Sequence, residues 1–150
     1  MDAFEGSLND LLVDTFDAIL KYESRSLTSL LGGQVTIAEA HMLAYIARQQ
    51  NQATVSKIAA GLKIAVPTTT IAVKKLQQKG YVTKVPCAAD GRRSYICLTK
   101  QGERIDRAHS IFHQRMVRSI SNQLKPSEKE VLLAVIDKLN AFFSETKAKK

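Results

Sequence analysis

Three histidines, His41, His109 and His113, and one glutamate on an otherwise apolar helical stripe, Glu23, are the residues of this 150-residue chain best suited to chemistry. His109 and His113 stand at i, i+4, the helical spacing that lets two imidazoles converge on one metal ion. Both interrupt the apolar run between Ile105 and Met116, and Glu23 does the same between Leu20 and Leu27, so all three are expected to face inward. A buried carboxylate is costly unless something compensates it. Three imidazoles and a carboxylate suit tetrahedral Zn²⁺; the plainer alternative is a satisfied polar cluster in which Glu23 bonds an imidazole. A catalytic zinc is the third reading, and the chain argues against it. It holds no Ser or Cys nucleophile motif, no glycine-rich phosphate loop and no general base in register, so no enzyme is expected. Cys87 and Cys97 are expected to face each other across a hairpin as reduced structural thiols, with a redox switch as the alternative.

A second set of candidates is basic. Residues 57–107 carry a charge of +8, equal to that of the whole chain, while residues 1–56 sum to −4 and residues 108–150 to +4. Charge confined to one segment suggests a footprint on a polyanion, with a merely solvated basic face as the alternative. A hydrophobic content of 45% is ordinary for a globular protein. No apolar stretch approaches the roughly 18 residues of a membrane span. The acidic start, Met1 to Glu5, lacks the basic and apolar regions of a signal peptide, and two cysteines argue against a disulfide scaffold. A cytoplasmic protein with no membrane partner is expected.

The elements that must position these residues follow from periodicity. Apolar residues at helical intervals from Leu8 to Leu31 mark an amphipathic helix stopped by Gly32-Gly33. Thr36 and Glu39 form a capping box for a second helix reaching about Gln50, and Thr54 caps a short third, Val55 to Leu62. After the tight Lys63-Ile64-Ala65 connection, a fourth helix runs from about Val66 to Lys79, with Pro67 in its first turn. Tyr81–Val85 and Ser94–Leu98 read as strands, and Pro86–Arg93 as the turn-rich tip between them. Two long amphipathic helices follow, from Thr99 and from Pro126. The predicted fold class is mostly α (α+β): a winged helix-turn-helix lobe, residues 36–99, flanked by helices in 1–35 and 100–150 that form a dimerisation region. The whole, 1–150, is one domain.

A helix of this kind fits the major groove of DNA. On the fourth helix Thr69, Val73 and Leu76 share an inward face, leaving Thr68, Thr70, Ile71, Lys74 and Lys75 outward. Threonine hydroxyls and methyls can read bases, and lysines can neutralise phosphates. The tip Asp90-Gly91-Arg92-Arg93 offers two guanidiniums for a narrow minor groove, with Asp90 expected to orient Arg92.

The run Gly80-Tyr81-Val82, then Asp90 and Arg92, then Leu98-Thr99-Lys100-Gln101-Gly102, resembles the MarR family of bacterial repressors over essentially the whole chain. The resemblance implies a homodimer that binds a pseudo-palindromic double-stranded operator and responds to an effector. Two positions depart from the family pattern: Gly91 follows the wing Asp where Arg is common, and Ala65 stands where the recognition helix usually has a Ser cap. Ile37-x-Glu39-x-His41 and His109-x-x-Phe112-His113-x-x-Met116-Val117 resemble the family's repressors of fatty-acid synthesis. That branch implies a long acyl chain, delivered on acyl carrier protein, as co-repressor, with Phe112 and Met116 as candidates for its slot. In the rival zinc-responsive branch, Glu23, His41, His109 and His113 match the metal ligands, whereas Ser29, Ala40 and Ala108 replace those of its second site.

Overall fold

The computed structural model describes residues 1–88 and 90–148. The chain order is α1 (Ala3–Leu31), α2 (Ile37–Arg48), α3 (Val55–Leu62), α4 (Val66–Gln78), β1 (Val82–Cys87), β2 (Asp90–Leu98), α5 (Lys100–Asn122) and α6 (Pro126–Ala148). It divides into two compact units, Met1–Phe112 and His113–Lys150, with α5 crossing the boundary.

In the first unit, local chemistry sets the element ends. Asp2 and Glu5 make a capping box that starts α1 at Ala3, five residues ahead of Leu8, and Gly32 ends it in the left-handed region at φ 65°. Thr36 and Glu39 cap α2 as expected. The α3–α4 connection is tight because Lys63 itself adopts a left-handed conformation. The core gathers Leu27 of α1, Leu43 and Ile46 of α2, Ile58 of α3, Val73 and Leu76 of α4, Ile96 of β2 and Ile105 of α5. Gly102, in the first turn of α5, lies so close to the Tyr81 carbonyl that a Cβ there would be 2.1 Å from its oxygen.

The hairpin departs from the expected one. Val82 pairs with Leu98 and the register holds to Pro86–Ser94, then slips so that Cys87 meets Asp90. Most of the supposed turn is therefore strand. Cys97 lies opposite Thr83, not Cys87, so the two thiols do not face each other. Cys87 Sγ instead meets the Tyr95 hydroxyl at 3.3 Å, and Cys97 Sγ meets the Asn51 carbonyl at 3.2 Å. The sheet gains a short third edge where Ile96 N–H donates to the Ala53 carbonyl at 2.8 Å.

In the second unit, α6 leaves Val131, Leu133, Phe142 and Phe143 exposed. An apolar hollow of about 460 Å³ is lined by Leu124, Ser127, Glu128, Val131, Leu132 and Val135. Among the described residues, no helix is long and apolar enough to cross a membrane.

Candidate nucleic-acid interface and polar cluster

The α4 helix buries the three residues its period turns inward, Thr69, Val73 and Leu76. Thr68, Thr70, Ile71, Lys74 and Lys75 all lie on the exposed side, and Ile71, at 70% exposure, is an apolar side chain with no core role. Ala65 at the N-cap makes no side-chain bond. The Thr69 and Thr70 hydroxyls donate back to the Ala65 and Val66 carbonyls at 3.0 and 2.9 Å. Thr70 thus presents its methyl group and oxygen lone pairs outward, its proton being engaged.

The wing owes its shape to the register slip. Gly91, Arg92 and Arg93 fall between the Cys87–Asp90 and Pro86–Ser94 pairs and have no cross-strand partner among the described residues, so the bulge carries both arginines. Asp90 steers the other arginine from the one expected. Its Oδ2 lies 3.6 Å from Arg93 Nε, while its Oδ1 accepts from the backbone N–H of Arg92 at 3.0 Å. The Arg92 guanidinium is left for an outside partner. Between wing and α3 lies a cleft of about 390 Å³ whose lining includes Ser56, Lys84, Arg92, Arg93 and Ser94. Of these, Ser56, Lys84 and Ser94 were not singled out by sequence; the +8 segment was the signal that could have found Lys84.

The polar cluster forms inside the first unit. Glu23 is 2% exposed, and its Oε1 accepts from both the His41 and His109 rings, with Nε2 atoms at 2.8 and 2.7 Å. The two rings are tilted by 55° to each other, with centroids 5.2 Å apart. Burial works to raise the Glu23 pKa, but the hydrogen bonds from His109 and His41 outweigh it and hold the carboxyl below its ordinary value. His109 is buried as expected, whereas His41 keeps about half its side chain open. Ligand atoms of Glu23, His41 and His109 lie within 4.8 Å of one another, close enough to share an ion. His113 follows His109 by one turn of the same helix and is half-buried. Phe112 is buried, its ring 5.3 Å from that of Tyr22, and Met116 is half-buried one turn on.

One arrangement escaped the sequence reading. Glu39, read only as a helix cap, also takes the Lys79 ammonium at 2.8 and 2.9 Å through its two oxygens, with Lys75 at 3.8 Å. Burial again acts to raise its pKa, and Lys79, the Thr36 amide and Lys75 bring it down. No local pattern links residues 40 positions apart, so nothing in the sequence flagged it.

With helix, wing and cluster in place, comparison with known proteins is decisive for the lobe. Residues 34–93 match the family model described as the MarR family. Those residues are thus similar to a MarR-family domain. Beyond it, the chain is similar to Streptococcus pneumoniae FabT in complex with DNA, at 27% identity and a TM-score of 0.89, over 95% of this chain and 99% of that one. The Staphylococcus aureus MepR–DNA complex matches at 24% identity and TM-score 0.72, covering 89% and 95% of the two chains. RV1404 from Mycobacterium tuberculosis matches at 16% and 0.71, covering 96% of each. The last two speak to the fold alone. Comparison with curated proteins gives no match. The lobe thus has a winged-helix fold, with α4 followed by the β1–β2 hairpin.

Proposed function

We propose that the chain is a sequence-specific DNA-binding transcriptional repressor acting as a homodimer, and not an enzyme. The observation that carries this reading is the exposed face of α4, Thr68, Thr70, Ile71, Lys74 and Lys75, on the same lobe as a bulge that lifts Arg92 and Arg93 out of the sheet. The similarity to FabT in complex with DNA supports it. Lysines and Arg92 neutralise phosphates, Arg93 is held by Asp90, and Thr68 and Thr70 meet base edges. The exposed apolar residues of α1 and α6 support a second copy as the partner that covers them. Selection from a random duplex library by the purified protein tests the reading. Two related half-sites about one helical turn apart are expected; steeply salt-dependent binding with no preferred sequence would make it an architectural protein instead.

The regulated genes are, on this proposal, those of fatty-acid synthesis, and the co-repressor is acyl carrier protein bearing a long acyl chain. The FabT similarity supports that branch. Phe112 and Met116 are the candidates for the acyl slot, and adding acylated carrier protein is expected to tighten operator binding.

The convergence of His41 and His109 on Glu23 Oε1 favours one second reading, a zinc-responsive repressor. The donor set fits: two imidazoles and a carboxylate already meet, and the sequence offers His113, one turn further along α5, as the candidate fourth ligand. When bound, zinc would replace the hydrogen bonds that now join α1, α2 and α5 with shared coordination. Calorimetric titration of chelator-stripped protein separates the readings. About one ion per protomer, lost in His109→Ala/His113→Ala, supports zinc; no binding leaves the acyl group as effector.

A further inference from the structure

The hydrogen bonds of the first unit run from α5 to α4 through α2. His109 of α5 and His41 of α2 share one oxygen of Glu23 on α1. Two residues before His41, Glu39 grips Lys79 at the end of α4, with Lys75 one turn back. Lys79 also donates to the Gln34 carbonyl at 3.0 Å, so the last turn of α4 is tied to both the loop before α2 and its first turn. Residues two apart on a helix point about 200° from each other. The first turn of α2 therefore lies between the polar cluster on one side and the recognition helix on the other. Both ends of this path, His41 and Lys75, also line one cavity of about 450 Å³ with Thr68 in its wall.

We propose that Glu39 is a positioning residue: by holding Lys79 and Lys75 it transmits the state of the Glu23–His41–His109 cluster to the DNA-reading face of α4. The proposal rests on α4 contacting DNA, as argued above, but not on which effector acts. Any event that draws His41 toward or away from Glu23 turns the first turn of α2 and carries the Glu39 carboxylate with it. Glu39 is buried and also holds the Thr36 amide at 3.0 Å, so it has little freedom to stay behind. The lysines follow the carboxylate. Lys75 is itself on the exposed face, so its reach toward a phosphate changes directly.

The test is a double-mutant cycle on affinity for a duplex that the unchanged protein has selected from a random library, with chelator present throughout. Glu23→Gln perturbs the cluster. Glu39→Gln cuts the path but keeps the helix cap, since glutamine can still accept from the Thr36 amide. Glu23→Gln is expected to change affinity between about 2- and 30-fold in the otherwise unchanged protein and to have no effect in the Glu39→Gln background. Thermal midpoints of the two variants are expected to add, which separates transmission from a shared structural role. The same fold-change in both backgrounds would overturn the proposal, and so would the absence of any Glu23→Gln effect. Lys79→Met carries the same cycle if Glu39→Gln does not fold. Selection of no duplex by the unchanged protein would instead remove the DNA reading, and the transmission with it.

Discussion

Between Thr36 and Leu98 the side chains turned inward are closed off within the chain itself: Leu43, Ile46, Ile58, Val73, Leu76 and Ile96 are each at most 1% exposed. In α1 before Tyr22, and along α6, residues of the same kinds stay open, with Phe16 at 64%, Leu133 at 65% and Phe142 at 62%. Both regions are built from amphipathic elements, but only the lobe meets its own apolar faces. Fully burying one such side chain stabilises by about 1.5–3 kcal/mol. The outer helices therefore hold a large unrealised gain, which the proposed second copy would realise.

The strongest way to break this contrast is to charge the open face. Leu132→Asp with Ile136→Asp is expected to give monomers in sedimentation equilibrium and leave the lobe folded. A monomer reads one half-site, so operator affinity should fall on the order of 100-fold or more. A charged variant that remained dimeric would move the interface off α6.

Two glycines sharpen the same contrast. Gly102 packs on the Tyr81 backbone in the closed region, whereas Gly6 in α1 has nothing within 4 Å of its added Cβ. Gly102→Ala forces apart α5 and the start of β1 and should cost about 2 kcal/mol in denaturant unfolding. Gly6→Ala should gain about 0.5–1 kcal/mol through helix propensity. Equal effects would mean that the two regions are equally closed.

Within the lobe, the wing and the recognition helix are predicted to differ in kind. Arg92→Ala should weaken binding to all sequences about 10-fold and lower the slope of affinity against salt by about 1, since a phosphate contact is lost. Thr68→Ala should leave that slope alone and change which bases are preferred. An Arg92→Ala protein with unaltered binding would sink the wing assignment.

These differences follow how far the sequence could be read. The lobe was legible because each of its elements is locally determined: Thr36 and Thr54 as caps, Gly80 ending a helix, the 3.6-residue period of α4 dividing Thr69, Val73 and Leu76 from their exposed neighbours. The wing was legible as a hairpin but not in register, because the slip at Pro86–Cys87 depends on where the two strands meet. Cys87 and Cys97 part company already in the regular part of the ladder, which sets Cys97 opposite Thr83. The burial of Glu23 was visible as a carboxylate on an apolar stripe; its sharing between two imidazoles was not, since His41 and His109 come from separate helices. Glu39 shows the same limit. A residue with a complete local explanation gave no sign of its second partner.

The smallest expected effect concerns acid. Glu23 and Glu39 both have pKa values below the ordinary 4.5, so the folded state holds their charged forms more firmly than the unfolded chain does. The stability they contribute is fully present above about pH 4.5 and is lost as pH falls through their lowered folded values. Asp106, whose pKa burial raises, acts in the opposite sense: its contribution is present at low pH and lost as pH rises. Glu39 ties α2 to Lys79 within the lobe and Glu23 ties α1 to α2 and α5, so acid should loosen both the lobe and the attachment of α1 to it. Urea unfolding between pH 3 and 6 tests this, with Glu39→Gln beside the unchanged protein. The variant should be less stable at pH 6 but lose less on acidification, and the gap should be modest because Lys75 is 61% exposed and its share of the pairing is screened by water. Parallel curves would mean that Glu39 keeps its proton affinity on folding, and that its grip on Lys79 adds nothing to the stability of the closed region.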